Sequence, residues 1–255
     1  MKKTILLTIF LAVAACGMAQ IHLNDKILHR SYVYFPLIER SLERHQMPKW
    51  LECVPIVESA LKPTAKSRSG RMGMWQIPSS LATKNGLVVT DEVNECFDPE
   101  LSTEVACRRL LELYECYGDW LLAIVAFNTS QTTVDNAIAQ ADGSRDYWDV
   151  YKYLPLETRG FVPALLAVSY AIHRPEEYGL HPMCGIDIWS DSETLVIIDT
   201  LSFSRISSTI GISMEELCRL NPKYVKKRIP VSNERCYTLR LPKRYADQYK
   251  QIMSL

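Results

Sequence analysis

One stretch, Trp50 to Pro78 (WLECVPIVESALKPTAKSRSGRMGMWQIP), limits this chain more than any other, because it sets a carboxylate among apolar side chains and follows it with a glycine-punctuated turn. Pro48 sits where a helix can begin, and the turns beyond it carry Trp50, Leu51, Val54, Val57 and Glu58. At about 100° per residue, Glu58 falls about 20° from Leu51 and about 40° from Val54 around the axis, so its carboxylate projects with the apolar set. Pro55 removes one backbone hydrogen bond and is expected to kink the helix without undoing that projection. A glutamate so placed has two readings: it satisfies a buried amide or an arginine, or it is a reactive acid whose pKa is raised by burial. After the helix ends near Lys62-Pro63, Ser, Gly, Lys and Arg dominate as far as Gly73-Met74-Trp75-Gln76-Ile77-Pro78. Gly70 and Gly73 permit backbone conformations and close approaches that other residues resist, and a loop of this kind brings main chain and polar side chains to a ligand. Trp75 by itself reads as core as readily as a sugar platform, and nothing here resembles the phosphate-binding pattern G-x-x-x-x-G-K-[ST].

At 255 residues, 47% of them apolar, the chain can build one large domain or two modest ones around a sizeable core. Lysine plus arginine (29) balance aspartate plus glutamate (29), which leaves no overall field to recruit nucleic acid or an anionic membrane surface. The run Lys226-Lys227-Arg228 reads as a solvated patch. His22, His29, His45, His173 and His181 show no ligand spacing, so a metal-dependent peptidase is disfavoured and neither metal nor cofactor is expected.

Residues 1–20 read as an export signal: Lys2-Lys3, the apolar run Ile5 to Ala15, then small residues, with too short a run to span a bilayer. Two processing outcomes compete. Cleavage after Gly17-Met18-Ala19 releases a soluble protein, whereas Val13-Ala14-Ala15-Cys16 resembles a bacterial lipobox and leaves a lipid on Cys16, the one route by which a membrane enters this reading. Either way the expected location is the cell envelope. The eight cysteines contain no Cys-x-x-Cys pair. Cys107 and Cys116 fall on opposite faces of one helix, roughly 13 Å apart along its axis, and cannot bridge. The cysteines read as buried free thiols acting as small hydrophobes.

Residues 21–45 are expected to form a helical bracing segment in which Pro36 is a break or a start. A helix from Leu101 to Tyr117 is expected with Ser102 or Thr103 as its cap, ended by Gly118. A second runs from Asp119-Trp120 to Asn128, a short third from Val134 to Ala141, and an apolar fourth from Ala164 to Ile172. Beyond a turn-rich boundary near residue 182 the composition changes. Thr194 to Ile198 and Tyr237 to Pro242 read as strands around two helices, Phe203 to Ile210 and Met214 to Leu220.

Several blocks together resemble the lytic murein transglycosylases with a goose-lysozyme-like (SLT) domain: Pro55-Ile56-Val57-Glu58-Ser59; Ser67 through Gly73-Met74-Trp75-Gln76-Ile77-Pro78; Gly118-Asp119-Trp120-Leu121-Leu122; Ala126-Phe127-Asn128; and Leu154-Pro155-Leu156-Glu157-Thr158-Arg159 with Val162-Pro163. They occur in family order across roughly residues 45 to 180. The C-terminal part is similar to a LysM peptidoglycan-binding repeat through Asp199-Thr200-Leu201-Ser202, Leu220-Asn221-Pro222 and Leu239-Arg240-Leu241-Pro242, with Ile198-Asp199 where Gly-Asp is usual. The resemblance implies a mainly α-helical fold, a lysozyme-like domain over residues 46–182 followed by a small α+β module over residues 183–255.

For function the resemblance implies non-hydrolytic cleavage of peptidoglycan glycan strands. Glu58 would act as acid and then as base, aided by the substrate's own N-acetyl group in place of a second carboxylate, and the product would carry a 1,6-anhydromuramoyl end. By motif correspondence Ser67, Met74, Gln76, Phe127, Asn128 and Phe161 would line the glycan site, with Trp75 bracing it and Glu157 and Arg159 structural, as an ion pair or cap. The chain departs from the family at Phe127 and Phe161, where tyrosine is usual, and at Thr129-Ser130-Gln131-Thr132, where a glycine-containing turn is usual. Two phenolic hydroxyls that could orient the acid or the sugar are therefore absent. The competing reading is a catalytically impaired peptidoglycan-binding or scaffold protein of the same fold.

Overall fold

The computed structural model describes residues 23–181, 187–232 and 234–253. The expected export segment, with Cys16, lies outside these residues. The chain opens with helix α1 (Asp25–Arg44), whose start is fixed by the Asn24 side chain accepting from the Ile27 amide. Pro36 does not break it. The helix runs through the proline with Leu28, Leu37, Ile38 and Leu42 buried on either side, and that packing outweighs the lost backbone bond. A 3-10 turn (Lys49–Cys53) follows and passes into α2 (Val54–Ser59), so the single helix expected from Pro48 onward is in fact two pieces. Pro55 therefore lies in the first turn of α2, where no backbone donor is needed, and produces no mid-helix kink.

After α3 (Ser79–Lys84), the long helix α4 (Pro99–Tyr117) starts on Asp98, whose carboxylate accepts from the Glu100 and Leu101 amides. Asp98, not Ser102 or Thr103, is the cap; those two hydroxyls turn back to carbonyls of the preceding turn. Gly118, at φ 71°, closes α4, and Asp119 at once caps α5 (Trp120–Asn128). The two helices pack as a hairpin, and α4 also packs on α1. Six of the nine residues of α5 are buried and the other three partly so, which explains why it is apolar all round instead of amphipathic. Ser130 caps α6 (Gln131–Gln140), which begins three residues earlier than its apolar pattern indicates. The short α7 (Tyr147–Val150) and α8 (Leu156–Arg159) lead into α9 (Phe161–Ile172).

The C-terminal part adds β1 (Ser192–Ile197), β2 (Leu201–Ser202), α10 (Phe203–Ile210), α11 (Met214–Leu220), β3 (Arg228–Ile229), β4 (Tyr237–Pro242) and α12 (Lys243–Met253). Strands β1 and β4 pair antiparallel with Leu195 opposite Leu239, and β2 pairs with β3. Helix α12 was not expected, although Tyr245, Ala246 and Tyr249 have helical spacing; Ala246 and Tyr249 are buried. The fold is mainly α with a small α+β module, as the sequence indicates. Of the six cysteines among the described residues, all free, Cys53, Cys96 and Cys107 are buried.

Buried side chains form two clusters, one reaching from Ile27 to Trp189 and a second built from the C-terminal elements. Val93 belongs to the second cluster although it precedes α4 in sequence. The segment around it pairs with the C-terminal module through backbone bonds, Asn94 N to Lys223 O (2.8 Å) and Val225 N to Glu92 O (2.9 Å). Ion pairs flank this seam: Arg228 with Glu92 (2.6 Å), Arg235 with Glu95 (3.3 Å), Lys223 with Asp98 (3.0 Å) and Arg240 with Glu100. The small module is thus docked along residues 92–100.

Candidate active site

Glu58 lies in the last turn of α2, half-buried. The helix stops one residue later, at Ser59, because Ala60 and Leu61 both take left-handed conformations (φ 54° and 56°). That strained pair is held by the complete burial of Leu61 and by a hydrogen bond from Arg30 to the Ala60 carbonyl (3.1 Å). Asn128, the last residue of α5, donates from Nδ2 to Glu58 Oε1 at 3.0 Å. Desolvation by the surrounding protein raises the Glu58 pKa, opposed by the positive charge of Arg71 and by the Asn128 hydrogen bond. The carboxyl group thus holds its proton to higher pH than an exposed glutamate does.

The loop after α2 is organised by Arg71. Its Nε donates to the Gln76 carbonyl (2.5 Å), Nη2 to the Phe127 carbonyl (2.8 Å) and Nη1 to the Asn128 carbonyl, while its backbone amide donates to Ser67 Oγ (2.9 Å). A cation at the end of α5 suits the negative pole of that helix and satisfies carbonyls that lack intrahelical partners. By fixing the Asn128 backbone, Arg71 also fixes the side chain that holds Glu58. The two turns of the loop are closed by antiparallel pairing of Met72 with Lys66 and with Ile77. Gly73 sits at φ 81°, where a β-carbon would lie 2.0 Å from the Cys96 carbonyl oxygen, so only glycine fits.

The residues singled out from the sequence are distributed as follows. Asn128 touches Glu58 directly. Gln76 is buried at φ 49°, its Nε2 donating to the Gly73 carbonyl (2.7 Å). Ser67 is half-buried and braces the turn. Met74 is fully buried, and its carbonyl accepts from Ser59 Oγ (2.8 Å), tying the loop to the residue next to Glu58. Phe127 (6% exposed) stands edge-on to Trp75, and Phe161 (1% exposed) opens α9, which packs on α2. Met74 and Phe161 were expected to line the site but are enclosed by core side chains behind it, whereas Phe127, though mostly buried, contributes to the wall of a pocket beside it. Trp75 is fully buried and donates to Thr103 Oγ1 (2.9 Å), a bracing role. Arg159 bonds to the Leu154 and Lys152 carbonyls and makes no ion pair with Glu157 among the described residues.

Arg71 was not singled out from the sequence. Its partners are backbone carbonyls, which every residue carries, and the only hint was a lone arginine between Gly70 and Gly73. Beside it, Leu81, Lys84, Phe127, Thr129 and Gln131 help line a pocket of ≈ 440 Å³, bordered by Arg71 itself and without Glu58 in its wall. Among the described residues a grouping of metal-ligand type exists at Glu52, Cys53 and His173, none of them a residue of this site.

Residues 35–149 match the transglycosylase SLT domain profile, and residues 192–253 match that of the lytic transglycosylase MltD, LysM-like domain. The chain is 30% identical over 240 residues to membrane-bound lytic murein transglycosylase D of Escherichia coli (strain K12), covering 91% of this chain and 51% of that protein. It is 32% identical over 121 residues to peptidoglycan transglycosylase gp16 of Escherichia phage T7, covering 47% of this chain and 9% of the phage protein. A solved structure of lytic transglycosylase Slt from Pseudomonas aeruginosa, an inactive mutant, aligns over 58% of this chain and 25% of its own with TM-score 0.45 and 16% identity. The chain spans about half the length of the E. coli relative. The chain thus combines a transglycosylase SLT domain with an MltD-type LysM-like domain, and over most of its length it is similar to membrane-bound lytic murein transglycosylase D.

Proposed function

We propose that the protein cleaves the β-1,4 bond between N-acetylmuramic acid and N-acetylglucosamine in peptidoglycan glycan strands without consuming water, with Glu58 as acid and then base. The observation that carries this reading is the Asn128–Glu58 hydrogen bond on a carboxyl group whose pKa is raised by burial. A carboxyl that keeps its proton to higher pH than an exposed one can donate it to the glycosidic oxygen as that bond breaks. The substrate's N-acetyl oxygen stabilises the anomeric carbon. Glu58, now a carboxylate, takes the proton from the muramoyl C6 hydroxyl, whose oxygen closes the 1,6-anhydro ring. Proton and atoms balance, and no second carboxylate is required. Ser67, Gln76 and Asn128 are the polar groups proposed to meet the glycan, and Met74, Phe127 and Phe161 shape the wall behind them.

The names of the relatives support peptidoglycan as the substrate and the bacterial envelope as the place of action. Export through residues 1–20 by either processing route fits that location, and no helix among the described residues is long and apolar enough to cross a membrane. The second reading, a binding or scaffold protein with impaired chemistry, is favoured by the missing hydroxyls at Phe127 and Phe161. Digestion of purified murein separates the two. Anhydro-ended muropeptides that vanish with Glu58→Gln are expected; reducing ends would indicate hydrolysis, and sacculus binding without released fragments would establish the scaffold reading.

A further inference from the structure

Glu52 and Cys53 end the 3-10 turn that leads into α2, and both are fully buried. His173 closes α9, 121 residues away, and its Nε2 lies 2.9 Å from Glu52 Oε1. The other ring nitrogen, Nδ1, is 2.7 Å from the Ser169 carbonyl oxygen. A carbonyl only accepts, so Nδ1 donates to Ser169, and Nε2 is the nitrogen turned toward the carboxylate. The 2.9 Å contact closes around a proton held by the ring or by the carboxyl, at the place a metal ion would take. Glu52 Oε2, in addition, is buried without a hydrogen-bond partner, with the Glu39 carboxyl group close by. Lys49, whose charge reaches Glu52, is paired with Glu39 (3.1 Å). A buried carboxylate left in this condition is costly unless something fills the gap.

We propose that Glu52, Cys53 and His173 form a binding site for one divalent ion of borderline softness, zinc in the first instance, joining the segment before Glu58 to the end of α9. Carboxylate oxygen, imidazole nitrogen and thiolate sulfur are a zinc donor set. Their ligand atoms lie within 4.8 Å of one another. Bonds of about 2.0–2.3 Å in a tetrahedron space ligand atoms roughly 3.3–3.8 Å apart, so an ion is admitted by opening the Glu52–His173 contact a few tenths of an ångström and drawing in any pair at the wider limit by about 1 Å. The Nδ1 bond to Ser169 is the outer contact that fixes the ring and its tautomer. The His173 side chain is 44% exposed and lines a surface pocket with Trp50, Ser169 and Tyr170, which gives an ion and its fourth ligand, water, a way in. On binding, the Cys53 S–H bond breaks, a sulfur–metal bond forms, and the proton passes to water.

The test uses the full chain with the exposed Cys116 and Cys236 changed to serine, stripped of metal and titrated with zinc against a chromophoric chelator. One zinc per chain is expected, with a rise in Tm, and cobalt(II) in its place should give a thiolate-to-metal charge-transfer band. Cys53→Ser should abolish that band, and His173→Ala should weaken zinc binding more than about 10-fold. His173 is largely at the surface, so circular dichroism should find that variant folded. Absence of stoichiometric binding, a cobalt spectrum without the thiolate band, or binding unchanged in folded His173→Ala would each overturn the proposal.

Discussion

Gly73 and Gly70 share one backbone conformation (φ 81° for both) but differ in what surrounds them, and that pair allows a controlled perturbation. A β-carbon on Gly70 meets nothing within 4 Å, whereas on Gly73 it would sit 2.0 Å from the Cys96 carbonyl oxygen and 3.0 Å from its carbon. Gly70→Ala therefore measures the left-handed penalty alone, about 1–2 kcal/mol. Gly73→Ala adds an overpacking term of about 1–3 kcal/mol, since the clashing atom is backbone and cannot rotate away, for a total of about 2–5 kcal/mol. At about 2–4 °C per kcal/mol for a chain of this size, Tm should fall by about 2–8 °C in the first variant and about 4–20 °C in the second. Gly73 also accepts both the backbone amide and Nε2 of Gln76, so the second variant should lose murein digestion at temperatures where it is still folded. Urea and thermal melts of the two proteins measure the difference. Equal losses would refute the close-approach argument.

The Glu58 carboxyl, whose pKa is raised in the folded state, contributes its full proton-linked stability below the ordinary carboxylate pKa of about 4.3 and loses it as pH rises from there through the native value. Glu58→Gln should therefore raise Tm relative to the parent at pH 7 and lose that advantage near pH 4; an advantage independent of pH would contradict the assignment. Arg71→Met leaves three carbonyls without their charged donor and should cost about 2–4 kcal/mol in urea unfolding, with Arg71→Lys recovering only part. Asp98→Ala removes the α4 cap, worth about 1 kcal/mol. A double-mutant cycle with Lys223→Met should show coupling above about 0.5 kcal/mol, and none would mean that the 3.0 Å pair does not help to dock the module.

Most of the helices could be read from local chemistry. Asp119 and Gly118 mark the α4–α5 corner with a cap and a left-handed stop, and the limits of α10, α11 and β4 follow from their apolar periods. Pro36 and Pro55 misled because tertiary packing in one case and first-turn placement in the other removed the penalty that a proline in mid-helix implies. At the site, Glu58 and Asn128 belong to recognisable blocks. Arg71 and the Glu52–His173 contact do not, because one depends on main-chain partners and the other on two residues 121 apart. Val93 was hidden for a similar reason: its apolar character was plain, but not which core it serves.

The seam at residues 92–100 has a practical consequence for anyone wishing to isolate the first domain. Asn94 gives its backbone amide to Lys223 and its side-chain amide to Met72 Sδ (3.0 Å), and Cys96, two residues on, presses its carbonyl against Gly73. One short segment therefore has one edge in the C-terminal module and the other under the turn that carries Gln76. A chain cut after residue 181 would expose Val93 and strip backbone partners from Glu92 and Asn94, leaving a sticky, unpaired edge directly beneath the loop that carries Gln76. The piece matched by the SLT profile is thus a poor unit for excision, and the small module behind it serves as part of the foundation of the site.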